Sequence, residues 1–551
     1  MERTFSQLLM GHAQQRPQAP AMREKEYGIW HSHSWADMAQ MASQMAAGLH
    51  LAGLRRGEHI VVVGANRPRL TAAMLAAQTL GAIPVPLYQD AVSSEYVFPI
   101  NNAEVRFAVV ENQEQVDKMI EIRGQCPGIS HIIYDDPRGL RNYQENGLSS
   151  LDACMSSGAA HVAAHPGWVQ QEIDAGHAGD VAAMFFTSGT TGNPKGVVHT
   201  HHSLIDRAQA GADFDHLGPN EEVLAYLPPA WIGQNIFSYA QWLCCGYVVN
   251  CPESAATMAI DLKEVGPTYY FAPPRVFEGL LTSVMIRMED ASSIKRSMFH
   301  YFMDIARKYG PAKMDGQSVG LVASLLLALG NLFVYGPLRN TLGFSRVRVA
   351  YTAGEAIGPD LFRFYRSIGI NLKQLYGSTE TAVFVCLQPD NEARADTVGV
   401  PCEGVEIKVA DNGEILVKSK GLLKEYYKNP TATAEVLTAD GWYHTSDAGF
   451  LDANGHLKII DRVKDVGRIS GGINDGATVR VFNQRGVHHC KVKISQRARP
   501  GVVHGMGLWW RKYGLDGTNV NQLTSQKLTD LGQAPTFYDC LVEVALASTP
   551  A

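Results

Sequence analysis

Short β-branched runs alternate with stretches of helical apolar spacing through the first 460 residues, and this alternation restricts the fold more than any other feature. Residues 60–63, 107–110, 131–134, 247–249 and 269–271 read as buried strands. Between them lie segments such as 35–51, whose apolar residues recur at helical spacing. The pattern predicts an α/β protein layered on largely parallel sheets. From 398 to 461 the texture changes to short strands and turns, with Asp-Asn-Gly at 411–413 and Ala-Asn-Gly at 453–455, which predicts a smaller β-rich portion. A composition of 46% hydrophobic and 19% charged residues suits a sizeable soluble core, and a net charge of −6 gives no case for nucleic acid as a partner. The N-terminal MERTFSQLLMGHAQQRPQAP has charges and no apolar core, so no secretory leader is expected. Nine scattered cysteines without a CxxC pair suit buried thiols in a reducing cytoplasm. Residues 316–338 carry no charge. A bilayer span needs about 20 apolar residues, but Gln317, Ser318, Ser324, Asn331 and Pro337 interrupt this one. It reads as a buried helix, with a helix lying on a membrane surface as the alternative.

The apolar run VAAMFF at 181–186 empties into TSGTTGNPKG at 187–196. A buried strand followed by Thr- and Gly-rich turns and a lysine is suited to holding phosphates. Gly189 and Gly192 let backbone N–H groups approach an anion. Thr187, Ser188, Thr190 and Thr191 add hydroxyls, and Lys195 adds a mobile positive charge. A Walker loop requires Gly-Lys followed by Ser or Thr, whereas Lys195 stands between Pro194 and Gly196, so a P-loop NTPase is disfavoured.

Three further loops follow predicted strands or rigid turns. LPPAWIGQ at 227–234 places Trp231, YTAGEA at 351–356 contains Gly354 and Glu355, and QLYGSTET at 374–381 contains Tyr376 and Glu380. Ligands of open α/β sheets sit beyond the carboxyl ends of strands, so these loops could share one cleft with 187–196. A tyrosine gives a base a face to stack on, and a glutamate can hold Mg²⁺ through oxygen. Taken singly, a tryptophan such as Trp231 is more often core and a glutamate such as Glu380 more often a helix cap. GWYHTSD at 441–447 and IDRVKD at 460–465 supply Asp447, Asp461 and Arg462. A carboxylate and a guanidinium suit the two hydroxyls of a ribose, and a solvated turn is the plainer alternative.

Together, and in this order, these motifs resemble the adenylate-forming superfamily of acyl-CoA synthetases, luciferases and peptide-synthetase adenylation domains, over about residues 5 to 468. Within it the chain is most similar to bacterial long-chain fatty acyl-CoA synthetases, through Leu-Pro-Pro-Ala-Trp and DRVKDVGR. The resemblance implies two doubly wound α/β subdomains plus a β-barrel subdomain, with a mobile C-terminal lid. It implies two chemical steps. A fatty carboxylate attacks the α-phosphate of ATP to give acyl-AMP and pyrophosphate, and the thiol of coenzyme A then displaces AMP. Thr187, Ser188, Gly189, Thr190, Thr191, Gly192 and Lys195 would cradle the triphosphate, and Thr187 and Glu380 would hold Mg²⁺, making Thr187, Lys195 and Glu380 the catalytic set. Tyr376, with Gly377, Ser378 and Thr379 in its loop and Gly354 and Glu355 alongside, would frame the nucleotide. Asp447 and Arg462 would bind the ribose, Trp231 would gate the acyl tunnel, and Asp461 would lie at the hinge. The similar long-chain enzymes are commonly dimers, so a homodimer and a peripheral membrane contact are among the implied associations.

The resemblance stops after Arg468. The family's lid ends in a Pro-rich, Gly-Lys-containing loop whose lysine bridges the carboxylate and the α-phosphate, and Lys491, Lys493, Lys512 and Lys527 all lack that context. Residues 471–551 carry nine Lys and Arg against five Asp and Glu. They read as strand-turn-strand at 473–486, leading through 499–504 and 519–524 to 536–543, and resemble the last portion of a molybdopterin-dinucleotide-binding domain. The expected organisation is therefore an adenylation domain over 1–460, a junction over 461–472, and a small β-rich segment over 473–551 in place of the usual α+β lid. The chain reads as a chimera. No iron–sulfur cysteines precede the segment, so no molybdenum cofactor is expected. Three functions stay open at this point: a long-chain fatty acid–CoA ligase impaired by the missing lid lysine, a non-catalytic nucleotide- or acyl-binding protein, and a unit related to molybdenum oxidoreductases.

Overall fold

The computed structural model describes residues 3–187, 193–462, 477–483, 486–492 and 543–546, with backbone alone at 461, 462, 543, 545 and 546. The chain divides into two compact units, one of residues 1–406 and 417–443, the other of 407–416 and 444–551.

In the first unit a five-stranded parallel sheet runs in the order Ile83–Leu87, His59–Val63, Phe107–Val110, His131–Tyr134, Leu148–Ser150. Its strands are apolar throughout because both faces are covered. Val61, Val63, Ala108 and Val110 pack into one core cluster, while Ile60, Val62, Phe107 and Val109, alternating with them, pack into another. A second sheet joins Tyr269–Phe271, Val349–Thr352 and Leu372–Tyr376 in parallel, then adds Cys386–Leu387 and Val400–Pro401 antiparallel. The predicted helix at 35–51 forms as Trp35–Ala52. Ser34 and Asp37 close a capping box at its start, and Gly53 ends it with φ 102°. Trp35 stacks on Trp242 with ring centres 4.8 Å apart, anchoring this helix to the main core.

The second unit is β-rich. One sheet runs in the order Val405–Val409, Glu414–Ser419, Tyr443–Leu451, Leu457–Arg462. Its hairpins turn at the expected Asn-Gly pairs, with Gly413 at φ 85° and Gly455 at φ 78°. A three-stranded antiparallel sheet follows, made of Gly486–Lys491, Thr478–Asn483 and Glu543–Leu546, around Val479, Val481 and Val544. In the segment expected to reverse direction at 473–486, Thr478–Asn483 pairs antiparallel with Gly486–Lys491, Asn483 opposite Gly486. In this register Val479 and Val481 share one buried face. The predicted segments at 499–504, 519–524 and 536–541 lie outside the described residues.

The uncharged stretch departs from expectation. It forms the helix Leu321–Gly330, continues through a π-helical turn Asn331–Tyr335, and ends in Gly336–Leu342. Ala323, Leu327, Gly330 and Val334 are buried, but the opposite side stays uncovered. The segment is therefore buried on one side only, because the helix Ser293–Met314 packs against it from a single flank.

Three buried imidazoles make the fold sensitive to acid. Burial lowers His59, His199 and His201 to pKa values of about 4. Their folded values lie below the ordinary one, so the stability they contribute is present above about pH 6.5 and lost as pH falls through 4. Thermal melts are expected to show a steady midpoint above pH 6.5 and a falling one towards pH 4.

Candidate active site

The phosphate-loop candidate is a hairpin. Strands Val181–Thr187 and Lys195–Thr200 pair antiparallel, and their register sets Thr187 opposite Lys195. The hairpin thus opens on a hydroxyl and closes on an ammonium. Ser188, Gly189, Thr190, Thr191 and Gly192 lie outside the described residues.

Glu380 sits in a single 3₁₀ turn, Thr379–Thr381, just past the strand Leu372–Tyr376. The approach is tight: a Cβ on Gly377 would fall 1.6 Å from the carbonyl oxygen of Val383. The Ser378 N–H donates to Thr381 Oγ1 at 2.9 Å and starts the turn. Ala382 and Val383 then leave it in the left-handed region, with φ 50° and 72°. That conformation is costly for a β-branched residue, by about 1–3 kcal/mol. Strain of this kind, held in place by buried Thr381 and Phe384, fixes where Glu380 projects.

Two residues that the sequence did not single out tie the hairpin to this turn. Tyr426 lies on the short strand Glu425–Tyr426, which pairs with Lys195–Thr200. Its hydroxyl donates to Glu380 Oε1 at 2.8 Å, and Lys195 Nζ rests 4.7 Å from its ring centre. Tyr443 donates to Tyr426 in turn, so a chain of two hydroxyls ends on the carboxylate. Burial, reinforced by the Glu380 charge, pushes the Tyr426 phenol well above its usual range, so it stays a donor. His199 is the second residue. Its Nε2 donates to the carbonyl oxygen of Thr379 at 2.7 Å. The neutral ring then accepts at Nδ1, from Ser203 Oγ at 3.0 Å. The Tyr426→Phe variant should keep the ring under Lys195 but free Glu380 to rotate. The expected cost is about 10–100-fold in adenylation rate, with a melting temperature lowered by a few degrees because the buried Tyr443 hydroxyl loses its acceptor. Stopped-flow release of pyrophosphate would read it.

The remaining loops leave the same sheet. Val349–Thr352 and Leu372–Tyr376 are parallel neighbours, with Thr352 beside Gln374, so the loops bearing Gly354 and Tyr376 emerge side by side at their carboxyl ends. Gly354 takes φ 95°, and it and Glu355 are exposed. Glu355 borders an open groove of about 670 Å³ between residues 355–361 and the helix Pro274–Glu289, with Leu281, Met285, Ile357 and Leu361 on its walls. Trp231 stacks on Phe271 at 5.1 Å and 8°, and Phe271 ends the next strand of that sheet. Thr187, Lys195, Glu380, Tyr376, Gly354 and Trp231 all belong to the first unit.

Asp447, Asp461 and Arg462 belong to the second unit. The strands Tyr443–Leu451 and Leu457–Arg462 pair so that Asp447 faces Arg462 and Ala448 faces Asp461. Glu414 holds the approach to Asp447, through His444 Nδ1 at 3.0 Å and the Ser446 N–H at 3.0 Å.

Residues 9–427 match the AMP-binding enzyme family. The chain belongs to that family. A second match, to the molydopterin dinucleotide binding domain, covers residues 470–541. Among curated relatives of this AMP-binding enzyme, the long-chain-fatty-acid–CoA ligase FadD15 of Mycobacterium bovis is 28% identical over 453 residues, covering 81% of this chain and 72% of the relative. The long-chain-fatty-acid–CoA ligase ACSBG2 of Xenopus laevis is 27% identical, over 82% of this chain and 62% of its own length. Among solved structures, the anthranilate CoA ligase AuaEII with anthranoyl-AMP superposes with a TM-score of 0.66 at 19% identity, covering 86% of this chain and 80% of that one. The N-terminal domain of FACL13 from Mycobacterium tuberculosis gives 0.62 at 20%, covering 84% and 100%. These two likenesses establish the adenylate-forming fold.

Proposed function

We propose that this AMP-binding enzyme activates a long-chain fatty acid through acyl-AMP to acyl-CoA. The observation that carries the reading is the joined set of Lys195, Tyr426 and Glu380 within a family match of three-quarters of the chain. The named long-chain ligases among its relatives support a fatty substrate.

In this reading a carboxylate oxygen attacks the α-phosphorus of ATP, the bond to the β-phosphate oxygen breaks, and pyrophosphate leaves. The sulfur of coenzyme A then attacks the acyl carbon and expels AMP. The protein's part is positioning and neutralising charge on phosphate. The hairpin hydroxyls of Thr187, Ser188, Thr190 and Thr191, the backbone at Gly189 and Gly192, and Lys195 hold the triphosphate. Tyr376, with Gly377, Ser378 and Thr379, and Gly354 with Glu355 frame the adenine. Asp447 and Arg462 take the ribose hydroxyls, Trp231 guards the acyl entrance, and Asp461 serves as hinge. Mg²⁺, with Thr187 and Glu380 as its protein ligands, would neutralise phosphate charge. The donors fit: the turn Thr379–Thr381 presents the carboxylate of Glu380, and magnesium beside a nucleotide needs only one or two carboxylates, with phosphates and water completing its shell. The missing lid lysine makes both half-reactions slow. A cytoplasmic homodimer touching membranes peripherally completes the proposal.

Incubation with palmitate, ATP and coenzyme A followed by mass spectrometry tests it. Palmitoyl-AMP and palmitoyl-CoA are the expected products. ATP binding with neither product would favour a non-catalytic nucleotide-binding role, the reading to which the absent lid lysine points.

A further inference from the structure

The exposed side of the helix Leu321–Gly330 and its π-helical extension is mostly apolar, broken by the exposed Asn331 and the half-buried Ser324. Leu321 is 91% exposed, Val322 74%, Leu325 62%, Leu332 65% and Phe333 52%, with Leu329 between them. Spacings of three, four and seven residues line them along one side. A surface helix ordinarily turns polar residues outward, and one that is apolar all round is ordinarily buried or in lipid. Here only 22% of the most apolar stretch within Leu321–Leu342 is buried.

We propose that this side is a docking surface for an anionic lipid bilayer, on which the helix lies parallel to the membrane plane. A crossing is excluded by what anchors the inner side. Leu327, Val334 and Tyr335 pack into a core cluster with Phe299, Met303 and Phe344, and the Tyr335 hydroxyl donates to the Phe302 carbonyl at 2.6 Å. Arg339 holds the Ile368 carbonyl at 3.0 Å and Asn331 Oδ1 at 2.8 Å. Withdrawing the helix into lipid would break all of these.

Charge selects the partner. The outward side of Leu321–Gly330 has no ionisable group, so it offers no salt-bridge code of the kind that orients a protein partner. The helix Ser293–Met314, packed against it, exposes Lys295, Arg296, Arg307, Lys308 and Lys313 against Asp304 alone. A cationic helix beside an apolar one matches an anionic headgroup layer over hydrocarbon. The proposal deepens the fatty-acid reading, since such a surface would place the enzyme where long-chain acids partition, yet its test requires no turnover.

The full-length chain is sedimented with vesicles of phosphatidylcholine alone and of phosphatidylcholine mixed with phosphatidylglycerol, without ATP or fatty acid. Preferential binding to the mixed vesicles, weakened by salt, is expected. The Leu325→Glu/Leu332→Glu variant, whose changes fall on solvent-facing positions, should lose about tenfold or more in partitioning while melting normally. The charge dependence is read separately with Arg307→Glu/Lys308→Glu, which should lose the preference for the anionic mixture. Equal binding by wild type and the leucine variant would overturn the proposal. So would a concentration-dependent dimer in light scattering that the leucine variant abolishes, since the occupant would then be a second copy. Palmitate-dependent adenylation in detergent separates failure of this proposal from failure of the ligase reading: its absence in wild type and variants alike would count against the ligase reading, not against docking.

Discussion

The Glu380→Gln variant is expected to lose at least about a hundredfold in adenylation rate while keeping its fold, a loss of roughly 3 kcal/mol in transition-state stabilisation. The amide oxygen of Gln still accepts from the Tyr426 hydroxyl, which lies 2.8 Å from Glu380 Oε1. The strained exit through Ala382 and Val383 is untouched, so the melting temperature should hold. What disappears is the only negative charge on the turn Thr379–Thr381. If that charge holds magnesium beside the phosphates, the variant should need far more magnesium for half-maximal rate. A variant with unchanged rate and unchanged magnesium dependence would remove Glu380 from the catalytic set.

The second large effect concerns the residues after Arg468. Replacing 469–551 with the corresponding C-terminal portion of FadD15, whose 28% identity makes the junction tractable, is expected to raise acyl-CoA formation on the order of a hundredfold. The reasoning is that a lid lysine would reach charge developing between the carboxylate and the α-phosphate, whereas Lys491, Lys493, Lys512 and Lys527 lack the sequence context of the family's lid loop. Acyl-CoA formation measured by thiol consumption would report the difference. Equal rates in the two chains would mean that residues 469–551 already supply what the lid supplies.

The layered fold was legible because a parallel sheet leaves a plain imprint. Runs such as 60–63 and 107–110 must be apolar at every position when both faces are covered, and they form His59–Val63 and Phe107–Val110. The Asn-Gly turns at 412–413 and 454–455 were equally readable, since positive φ selects glycine. Glu380 and Lys195 were legible as motif residues, but the tyrosine between them was not. Tyr426 acts across 46 residues of chain, and nothing in its neighbours marks a contact that arises only when Glu425–Tyr426 pairs with Lys195–Thr200. His199 was hidden for a similar reason: a buried imidazole in a strand looks like core until its carbonyl partner on Thr379 is known. The uncharged stretch at 316–338 shows a different limit. Its composition predicts a helix, but whether both sides are covered depends on how many neighbours pack on it, which is a tertiary property.

Palmitate-dependent exchange of labelled pyrophosphate into ATP tests the central claim most directly, since it reports reversal of acyl-AMP formation and needs neither coenzyme A nor a completed turnover. The account predicts slow exchange that requires both palmitate and magnesium and falls at least about a hundredfold further in Glu380→Gln. ATP bound by the first unit with no palmitate-dependent exchange, even at high enzyme concentration, would contradict it.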